Sequence, residues 1–338
     1  MVEKLDKETL AAQMQVVNLA IGPWKFQVLS TLCNLGVFRL LEEGPLDAEE
    51  MARRLGVPGD ALARLLACGA GLGYLTREDG VYCNAETTSR VLTPGKPGFM
   101  GNWLALCDRW YHTFGRLEEA VRTDRAPEDV NFGPDAAYNE LFVKGMMDYT
   151  RYRGRDLASR FPLGDGKTLL DVGCGPALYS ILLCREHPHL KCTAMDLPRA
   201  LEIAGKEVAQ AGMEDRIRLA PCDYKEASSL GEGYDVVFLS HILHQESEEE
   251  CRRLLGKCFR SLNPGGILAV QAMFPDAGGT GTSYALLHDL LTLLIFPGGR
   301  NHTIADTVRW LEETGLVRVR HQPLSFFNVN SLVLGEKE

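Results

Sequence analysis

Two histidines, His241 and His244, stand one turn apart in the segment SHILHQE. An imidazole has an unperturbed pKa of about 6.5, so either ring can take a proton from a hydroxyl group near neutral pH. A second segment, LLDVGCGPALYS, places Gly173 and Gly175 directly after an apolar run. Glycines let the backbone approach a ligand closely, and a helix that follows them offers free N–H groups. These residue types predict a ligand-binding turn and a proton-accepting side chain.

The spacing of the glycines distinguishes between classes of cofactor. A dinucleotide fingerprint requires a third glycine where this chain has Leu178, and the Gly-Lys-Ser/Thr of a phosphate-binding Walker motif is missing after the turn. The acidic-x-Gly-x-Gly-x-small pattern from Asp171 to Ala177 instead resembles motif I of the class I S-adenosylmethionine methyltransferases. S-adenosylmethionine carries an ammonium and a sulfonium but no phosphate, so a carboxylate at the turn suits this cofactor.

Further acidic residues stand at the ends of the strands predicted next along the chain. The strand LKCTAMD ends at Asp196, whose carboxylate can accept hydrogen bonds from both ribose hydroxyls. The segment APCDYKE places Asp223 where it can accept the adenine amino group. The predicted contacts to S-adenosylmethionine, or to its product S-adenosylhomocysteine, are Asp171, Gly173, Gly175, Asp196, Leu197, Cys222, Asp223, Tyr224, Ser240 and His241.

The elements that must position these residues alternate between strand and helix from residue 167 onward. Apolar strands are predicted at 168–172, 191–196, 217–221, 234–239 and 267–272, and the tail predicts a closing hairpin of two more. Such alternation is typical of a parallel sheet with helices on both faces, whose ligands lie at the carboxyl ends of the strands. We therefore predict an α/β fold with a Rossmann-like, doubly wound, mostly parallel seven-stranded sheet.

The first hundred residues follow a different pattern, with Leu and Ala at helical spacing. Asp47 followed by Glu50 is a capping-box pattern that opens one helix, and a second helix leads to two short strands around Asp79-Gly80. This order predicts a mainly helical winged-helix domain. Residues 1–100 carry 10 Lys and Arg against 12 Asp and Glu, a net charge of −2, whereas a DNA-reading domain is normally basic. We therefore predict a dimerisation and substrate-covering domain.

The predicted domains are a winged-helix-like dimerisation domain at 1–110, linker and pocket helices at 111–160, and a cofactor-binding domain at 161–338. Aromatic and methionine side chains near the middle region suit the wall of an apolar pocket. The residues predicted to contact substrate there are Trp110, Phe114, Met146 and Tyr149.

Composition restricts the partners of the protein. A net charge of −9 argues against a general binder of nucleic acid, because phosphate contacts need clustered Lys and Arg. The start lacks the apolar segment of a signal peptide, and the apolar runs are too short to span a bilayer. The ten cysteines show neither disulfide nor zinc spacing. We expect a cytoplasmic protein with reduced thiols, no metal, and no nucleic-acid or membrane partner.

The order of motifs along the whole chain resembles the dimeric small-molecule O-methyltransferases, which include caffeic acid, acetylserotonin and bacterial polyketide-tailoring enzymes. The winged-helix half, DLP after the second strand, LNPGG and GGRNHT match that family's order. The resemblance implies a homodimer interlocked through about residues 1–110 and a substrate pocket between the two domains. It identifies His244, in LHQESEE, with the family's general base in LHDWxDE, while His241 remains a competing candidate.

The chain departs from the family where acids flank that base. It has Ala272, with Gln271 adjacent, and Asn301 at those positions. Compared with a family member that carries both acids, the imidazolium formed on His244 is therefore less stabilised, and the His244 ring is less firmly oriented. Either the acceptor is an acidic hydroxyl or carboxylate, or a sulfur or nitrogen atom is methylated by positioning alone.

A regulator that senses S-adenosylmethionine is a hypothesis of another class, and redox chemistry with NAD is disfavoured by Leu178. The other predicted substrate contacts are His288, Asp289 and Asn301.

Overall fold

The computed structural model describes residues 6–127, 136–164, 166–277, 282–324 and 330–338. The chain divides into two compact units, Met1–Arg109 and Trp110–Glu338. The first unit contains helices α1 (Lys7–Ala20), α2 (Gly22–Asn34) and α3 (Val37–Leu40), strand β1 (Leu46–Asp47), helices α4 (Ala48–Leu55) and α5 (Gly59–Gly71), strands β2 (Leu75–Glu78) and β3 (Val81–Asn84), and helix α6 (Glu86–Leu92).

The first unit has the predicted winged-helix outline. The Asp47 carboxylate accepts a hydrogen bond from the backbone N–H of Glu50 at 2.8 Å, which confirms the predicted start of α4. Asp79 and Gly80 both have positive φ, 47° and 86°, as the tight hairpin between β2 and β3 requires. The three strands pair in the order β1-β3-β2. Apolar faces of α2, α4 and α5 form one core with the wing.

Helix α7 (Gly101–Phe114) runs across the boundary between the units, and the second unit continues with two helices and a sheet. Its further elements are α8 (Leu117–Thr123), α9 (Ala136–Arg160), β4 (Thr168–Val172), α10 (Leu178–Glu186), β5 (Lys191–Asp196), α11 (Pro198–Gln210), β6 (Ile217–Pro221), β7 (Tyr234–Ser240), α12 (Glu248–Ser261), β8 (Leu262–Ala272), α13 (Thr282–Ile295), α14 (Ile304–Glu313), β9 (Val317–Pro323) and β10 (Ser331–Glu336).

The seven strands of the second unit pair in the order β6-β5-β4-β7-β8-β10-β9. Strands β4 to β8 are parallel, and β10 is antiparallel to both of its neighbours. The predicted strands are confirmed, but β8 begins at Leu262 and not at 267. Leu262 pairs with Tyr234, and an irregularity in the ladder absorbs the glycines before Ile267 pairs with Val236. The segment NPGG therefore belongs to the strand.

Alternate residues of the central strands face two separate cores. Leu169 packs with apolar residues of α9, α10 and α11 on one face, whereas Leu170 packs with α12 and α14 on the other. Both faces are covered, which explains the nearly continuous apolar sequence of these strands. The chain moves outward from β4 in both directions, through β5 on one side and β7 on the other. In such sheets, ligands bind outside the carboxyl ends of the strands at this reversal.

All ten cysteines are free thiols. None of the described helices combines the length with the hydropathy that a membrane span needs.

Candidate active site

The turn after β4, residues Gly173–Ala177, is here called the glycine loop. Gly173 and Gly175 adopt φ values of 71° and 54°, a region that side chains disfavour, and Ala177 shares it at 56°. A Cβ atom on Gly173 would lie 2.3 Å from Cδ1 of Ile242. The N–H groups of Gly173 and Cys174 donate to the Met195 carbonyl at 2.8 and 3.0 Å, so the loop is held against β5. Glycine is therefore required at position 173.

The carboxylate of Asp196 closes the glycine loop from β5. Its Oδ2 accepts the N–H of Gly175 at 2.7 Å, and its Oδ1 accepts the N–H of Leu197 at 2.7 Å. Burial raises the pKa of Asp196, and the two N–H groups act against that rise. A carboxylate has about four acceptor positions, so each oxygen retains one for a further donor. This fits the prediction that Asp196 receives the two hydroxyls of a ribose.

Asp171 lies beneath the glycine loop and not on its surface. Its side chain is 1 % exposed, and its Oδ2 accepts the Ser180 hydroxyl at 2.6 Å. Burial raises the pKa of Asp171 to about 7, and the nearby charge of Asp196 adds to the effect. The expectation that this carboxylate faces a positively charged ligand does not fit its position, since the side chain instead ties α10 to β4.

The other predicted cofactor contacts beyond β5 lie at the same edge of the sheet. Leu197 is half exposed, and the N–H of Cys222 donates to the Asp196 carbonyl at 2.9 Å. Asp223 is exposed, and its Oδ1 accepts the N–H of Lys225 at 2.9 Å, which shapes the loop after β6. The buried ammonium of Lys257 donates to the carbonyls of Tyr224 and Lys225 and fixes that loop from below.

Ser240 ends β7 and is tied to its neighbour in the sheet. Its hydroxyl donates to Oε1 of Gln271 at 2.9 Å, and the amide of Gln271 donates to the Tyr179 hydroxyl at 3.2 Å. Gln271 is 1 % exposed. Gln271, which lies next to a position where the family has an acid, is therefore hydrogen-bonded to the end of β7 and to α10.

Residues His241–Glu246, here called the histidine turn, connect β7 to α12. His241 has a positive φ of 57°, and His244 lies in the 3₁₀ turn Leu243–Gln245. The His244 side chain is 8 % exposed. Burial lowers the pKa of His244 well below its usual value, and the neighbouring rings of His288, His241 and His302 add to this shift. Burial likewise lowers the pKa of His241 to about 3. Both rings are therefore neutral at neutral pH.

The histidine turn is anchored by two residues, His302 and Glu246, and neither was predicted from the sequence to have this role. His302 Nε2 lies 3.1 Å from the carbonyls of both Leu243 and Glu246 and donates its proton there. The carboxylate of Glu246 is buried and accepts the Tyr224 hydroxyl at 2.7 Å and the Lys225 ammonium at 2.8 Å. Glu246 stands in the acidic run ESEEE, which is typical of a solvated helix start, so no local pattern signalled its burial.

The predicted residues His288, Asp289 and Asn301 come together beside His244. The rings of His244 and His288 lie nearly perpendicular with centroids 4.9 Å apart. His288 Nδ1 is 3.0 Å from Oδ1 of Asn301, whose backbone N–H donates to Asp289 at 2.5 Å. Among the described residues, no carboxylate is hydrogen-bonded to the His244 ring, and no group of His, Cys, Asp or Glu side chains is arranged to hold a metal ion.

The predicted aromatic and methionine contacts form a second group, in α7 and α9. Trp110 is buried, and its Nε1 donates to the Tyr138 hydroxyl at 3.0 Å. Tyr149 is buried beneath the guanidinium of Arg153, which lies 3.9 Å from the ring centre. Phe114 and Met146 are half-buried. A role of this group toward a substrate stays a prediction.

Comparison with known proteins identifies two family models in the chain. Residues 17–94 match an O-methyltransferase dimerisation domain, and residues 126–317 match an O-methyltransferase domain.

Similar proteins cover nearly the whole length of the chain. It is 34 % identical to 3-hydroxy-5-methyl-1-naphthoate 3-O-methyltransferase of Streptomyces sahachiroi, over 95 % of this chain and 94 % of that one. It is 29 % identical to the tetracenomycin polyketide synthesis 8-O-methyl transferase of Streptomyces glaucescens, over 95 % and 96 %. The structure of human N-acetylserotonin methyltransferase in complex with SAM superposes with a TM-score of 0.86, at 24 % identity, over 100 % and 99 % of the chains.

Proposed function

The chain belongs to the O-methyltransferase family, and from this premise we propose that it transfers the methyl group of S-adenosylmethionine to a hydroxyl oxygen of a small aromatic molecule. One observation carries the proposal. The histidine turn packs on the glycine loop, because the Ile242 side chain occupies the space that Gly173 leaves open. The turn that carries His244 therefore packs on the glycine loop, which Asp196 closes from β5.

The residues at the ends of β4, β5 and β6 would hold this cofactor. The glycine loop offers backbone without side chains, Asp196 offers two acceptor positions to the ribose, and the loop after β6 offers Asp223 to the adenine. When bound, S-adenosylmethionine supplies a methyl group on a positively charged sulfur. Methylation of sulfur or nitrogen, and a regulator without enzymatic activity, are disfavoured because the named relatives are O-methyltransferases.

His244 serves as the general base in this proposal. It receives the proton of the acceptor hydroxyl on a ring nitrogen while the oxygen attacks, and it then releases the proton to water. Its lowered pKa keeps the ring neutral and ready to accept a proton, although it also makes the ring a weak base. A weak base suits a phenol, whose pKa of about 10 is far below that of an alcohol. The aromatic hydroxyl in the name of the naphthoate enzyme supports this substrate class.

We also propose that the protein is a homodimer, joined through the first unit. Helix α1 has no buried residue in the single chain, and it exposes Leu10, Met14, Val16, Val17 and Leu19. A solvent-exposed apolar helix of this kind marks an interaction surface. The match of residues 17–94 to a dimerisation domain supports the same conclusion. Sedimentation equilibrium should give twice the mass of one chain, and Val17→Asp should shift the protein toward a monomer.

A screen with methyl-labelled S-adenosylmethionine tests the proposed reaction. Naphthols and hydroxybenzoates are supplied as acceptors, and mass spectrometry locates the label in the product. We expect label on a phenolic oxygen. No label on the oxygen of any of these acceptors, or binding of NAD without binding of S-adenosylmethionine in calorimetry, would contradict the proposal.

A further inference from the structure

Asn301 is held by three hydrogen bonds, and together they fix the orientation of its amide. Its backbone N–H donates to Asp289 Oδ1 at 2.5 Å. Its Nδ2 donates to the Ala285 carbonyl at 2.7 Å, deep in the structure, where Ala285 is 1 % exposed and Asn301 6 % exposed. A carbonyl oxygen only accepts, so the atom that faces it must be the amide nitrogen. The amide oxygen therefore points to His288.

This orientation determines which nitrogen of His288 carries the proton. Asn301 Oδ1 lies 3.0 Å from His288 Nδ1, and an amide oxygen has no proton to give. Nδ1 of His288 must therefore be the protonated nitrogen in the neutral ring. Burial lowers the pKa of His288, which favours that neutral ring. Its Nε2 then carries a lone pair and acts as a hydrogen-bond acceptor.

The Nε2 lone pair of His288 is available for a ligand. No hydrogen bond to this atom is found within the described ranges of the chain, and the side chain is half-buried, so it is not sealed in the core. The ring stands edge to face with that of His244, with centroids 4.9 Å apart. Two neutral imidazoles therefore stand side by side, but only His288 has its tautomer set by a hydrogen-bond partner in the described structure.

We propose that His288, positioned by Asn301, accepts a hydrogen bond from a second donor group of the methyl acceptor, so that the preferred substrates carry two neighbouring donors on one aromatic frame. The inference rests on the proposed function, in which the first hydroxyl gives its proton to His244. The 4.9 Å between the rings limits the two donors to adjacent or nearly adjacent positions. His288 thereby determines specificity, and Asn301 is a positioning residue.

Nuclear magnetic resonance of the full-length protein with ¹⁵N-labelled histidine tests the tautomer directly. Two-bond ¹H–¹⁵N correlations, assigned by comparison with His288→Gln, should show His288 with a protonated Nδ1 and a bare Nε2. Asn301→Leu, which removes the acceptor of the Nδ1 proton, should disturb that pattern. A protonated Nε2 in the wild-type protein would overturn the inference.

Acceptor preference tests the consequence for specificity. The probes are 2,3-dihydroxynaphthalene and 2-naphthol, which share one apolar frame, and kcat/KM for the diol is halved to allow for its two reactive hydroxyls. We expect the wild-type protein to favour the diol by about five- to tenfold, the usual effect of one hydrogen bond. His288→Leu should reduce this ratio to about one, and His288→Gln, which keeps an acceptor atom in reach, should restore part of it.

The control is His189→Leu, at an exposed residue before β5 on the opposite edge of the sheet, which should leave the ratio unchanged. Thermal unfolding and the Kd for S-adenosylmethionine verify that each variant is folded. Equal losses for both naphthols in His288→Leu, or no preference in the wild type, would overturn this inference alone. Label in neither naphthol would overturn the inference, and label in no hydroxyl acceptor of any kind would remove the proposed function as well.

Discussion

The two halves of the candidate site are built in different ways. On the cofactor side, the glycine loop and Asp196 lie at the ends of adjacent strands, and backbone N–H groups make most of their contacts. On the acceptor side, side chains from three distant segments meet, and His302 contacts the histidine turn across 59 residues of sequence. The first half depends on local backbone conformation, whereas the second depends on packing between remote elements.

This difference predicts separable effects of substitution. The largest is expected for His244→Ala, which should lower kcat by about 10²–10⁴-fold, the usual contribution of a general base. The Kd for S-adenosylmethionine, measured by calorimetry, should stay within about twofold, because the proposed ribose and adenine contacts, Asp196 and Asp223, lie at the end of β5 and after β6. His189→Ala is the matched control and should change neither quantity. A loss in kcat of less than tenfold for His244→Ala would mean that His244 is not a general base and that catalysis depends on positioning.

Asp196→Ala should mainly weaken cofactor binding and change kcat little, which is the reverse of the effect expected for His244→Ala. Loss of a charged acceptor of two hydroxyls should raise the Kd for S-adenosylmethionine by about 10- to 100-fold. At saturating cofactor, kcat should change far less than in His244→Ala. Asp171→Asn is the informative comparison, since Asp171 is buried against Ser180 and its variant should bind the cofactor within about threefold of the wild type. Equal losses of affinity in both variants would mean that Asp171 also contacts the ligand.

The same contrast explains how much could be predicted from the sequence. Strand ends, the glycine loop and Asp196 follow from hydrophobic runs and short motifs, because each depends on neighbours in the chain. The burial of Asp171 was missed, since a motif gives the position of a carboxylate but not the direction of its side chain. The contacts of Glu246, and the Asn301–His288 pair, depend on tertiary packing that no local pattern encodes. The sequence shows Asn301 as an uncharged residue where the family has an acid, but it did not predict the hydrogen bond between Asn301 and His288.

Substitution of Gly299 should have an effect of intermediate size, because this residue lies against Phe296 and the His244 backbone on the acceptor side. A Cβ atom at this position would lie 2.6 Å from the Phe296 Cβ and 2.9 Å from the His244 carbonyl oxygen. Gly299→Ala should therefore reduce the free energy of unfolding by about 1–3 kcal/mol and lower kcat, with cofactor affinity retained.

Gly205→Ala is the matched control, because its Cβ would make only an ordinary contact, 3.5 Å from Leu219. This variant should be neutral or slightly stabilising, since alanine is favoured over glycine inside a helix. Chemical denaturation and single-turnover assays give both quantities. A Gly299→Ala protein as stable and active as the wild type would show that the segment can move away from His244 at little cost.

The smallest expected effect is the response of the rate to acid. A base with the ordinary histidine pKa of about 6.5 would lose about fourfold in neutral form between pH 7.5 and 6.0. His244 is buried among His241, His288, His302 and Phe296, and burial lowers its pKa, so the ring stays neutral through this range. The single-turnover rate at saturating ligands should therefore change by less than about twofold.

The pH profile also separates this mechanism from one without a base. If the acceptor had to ionise in solution before reacting, the rate would fall about tenfold for each pH unit below the pKa of the acceptor. A fourfold fall would instead indicate a histidine exposed to solvent. Stability must be measured in parallel, because the unfolded chain binds protons below about pH 6.5 that the buried neutral rings exclude, and this contribution lowers the free energy of unfolding as the pH falls. The buried Asp171, whose pKa is raised to about 7, contributes in the opposite direction, because the folded state takes up its proton first. A flat rate, measured at pH values where the protein remains folded, is the result that a buried and neutral His244 predicts.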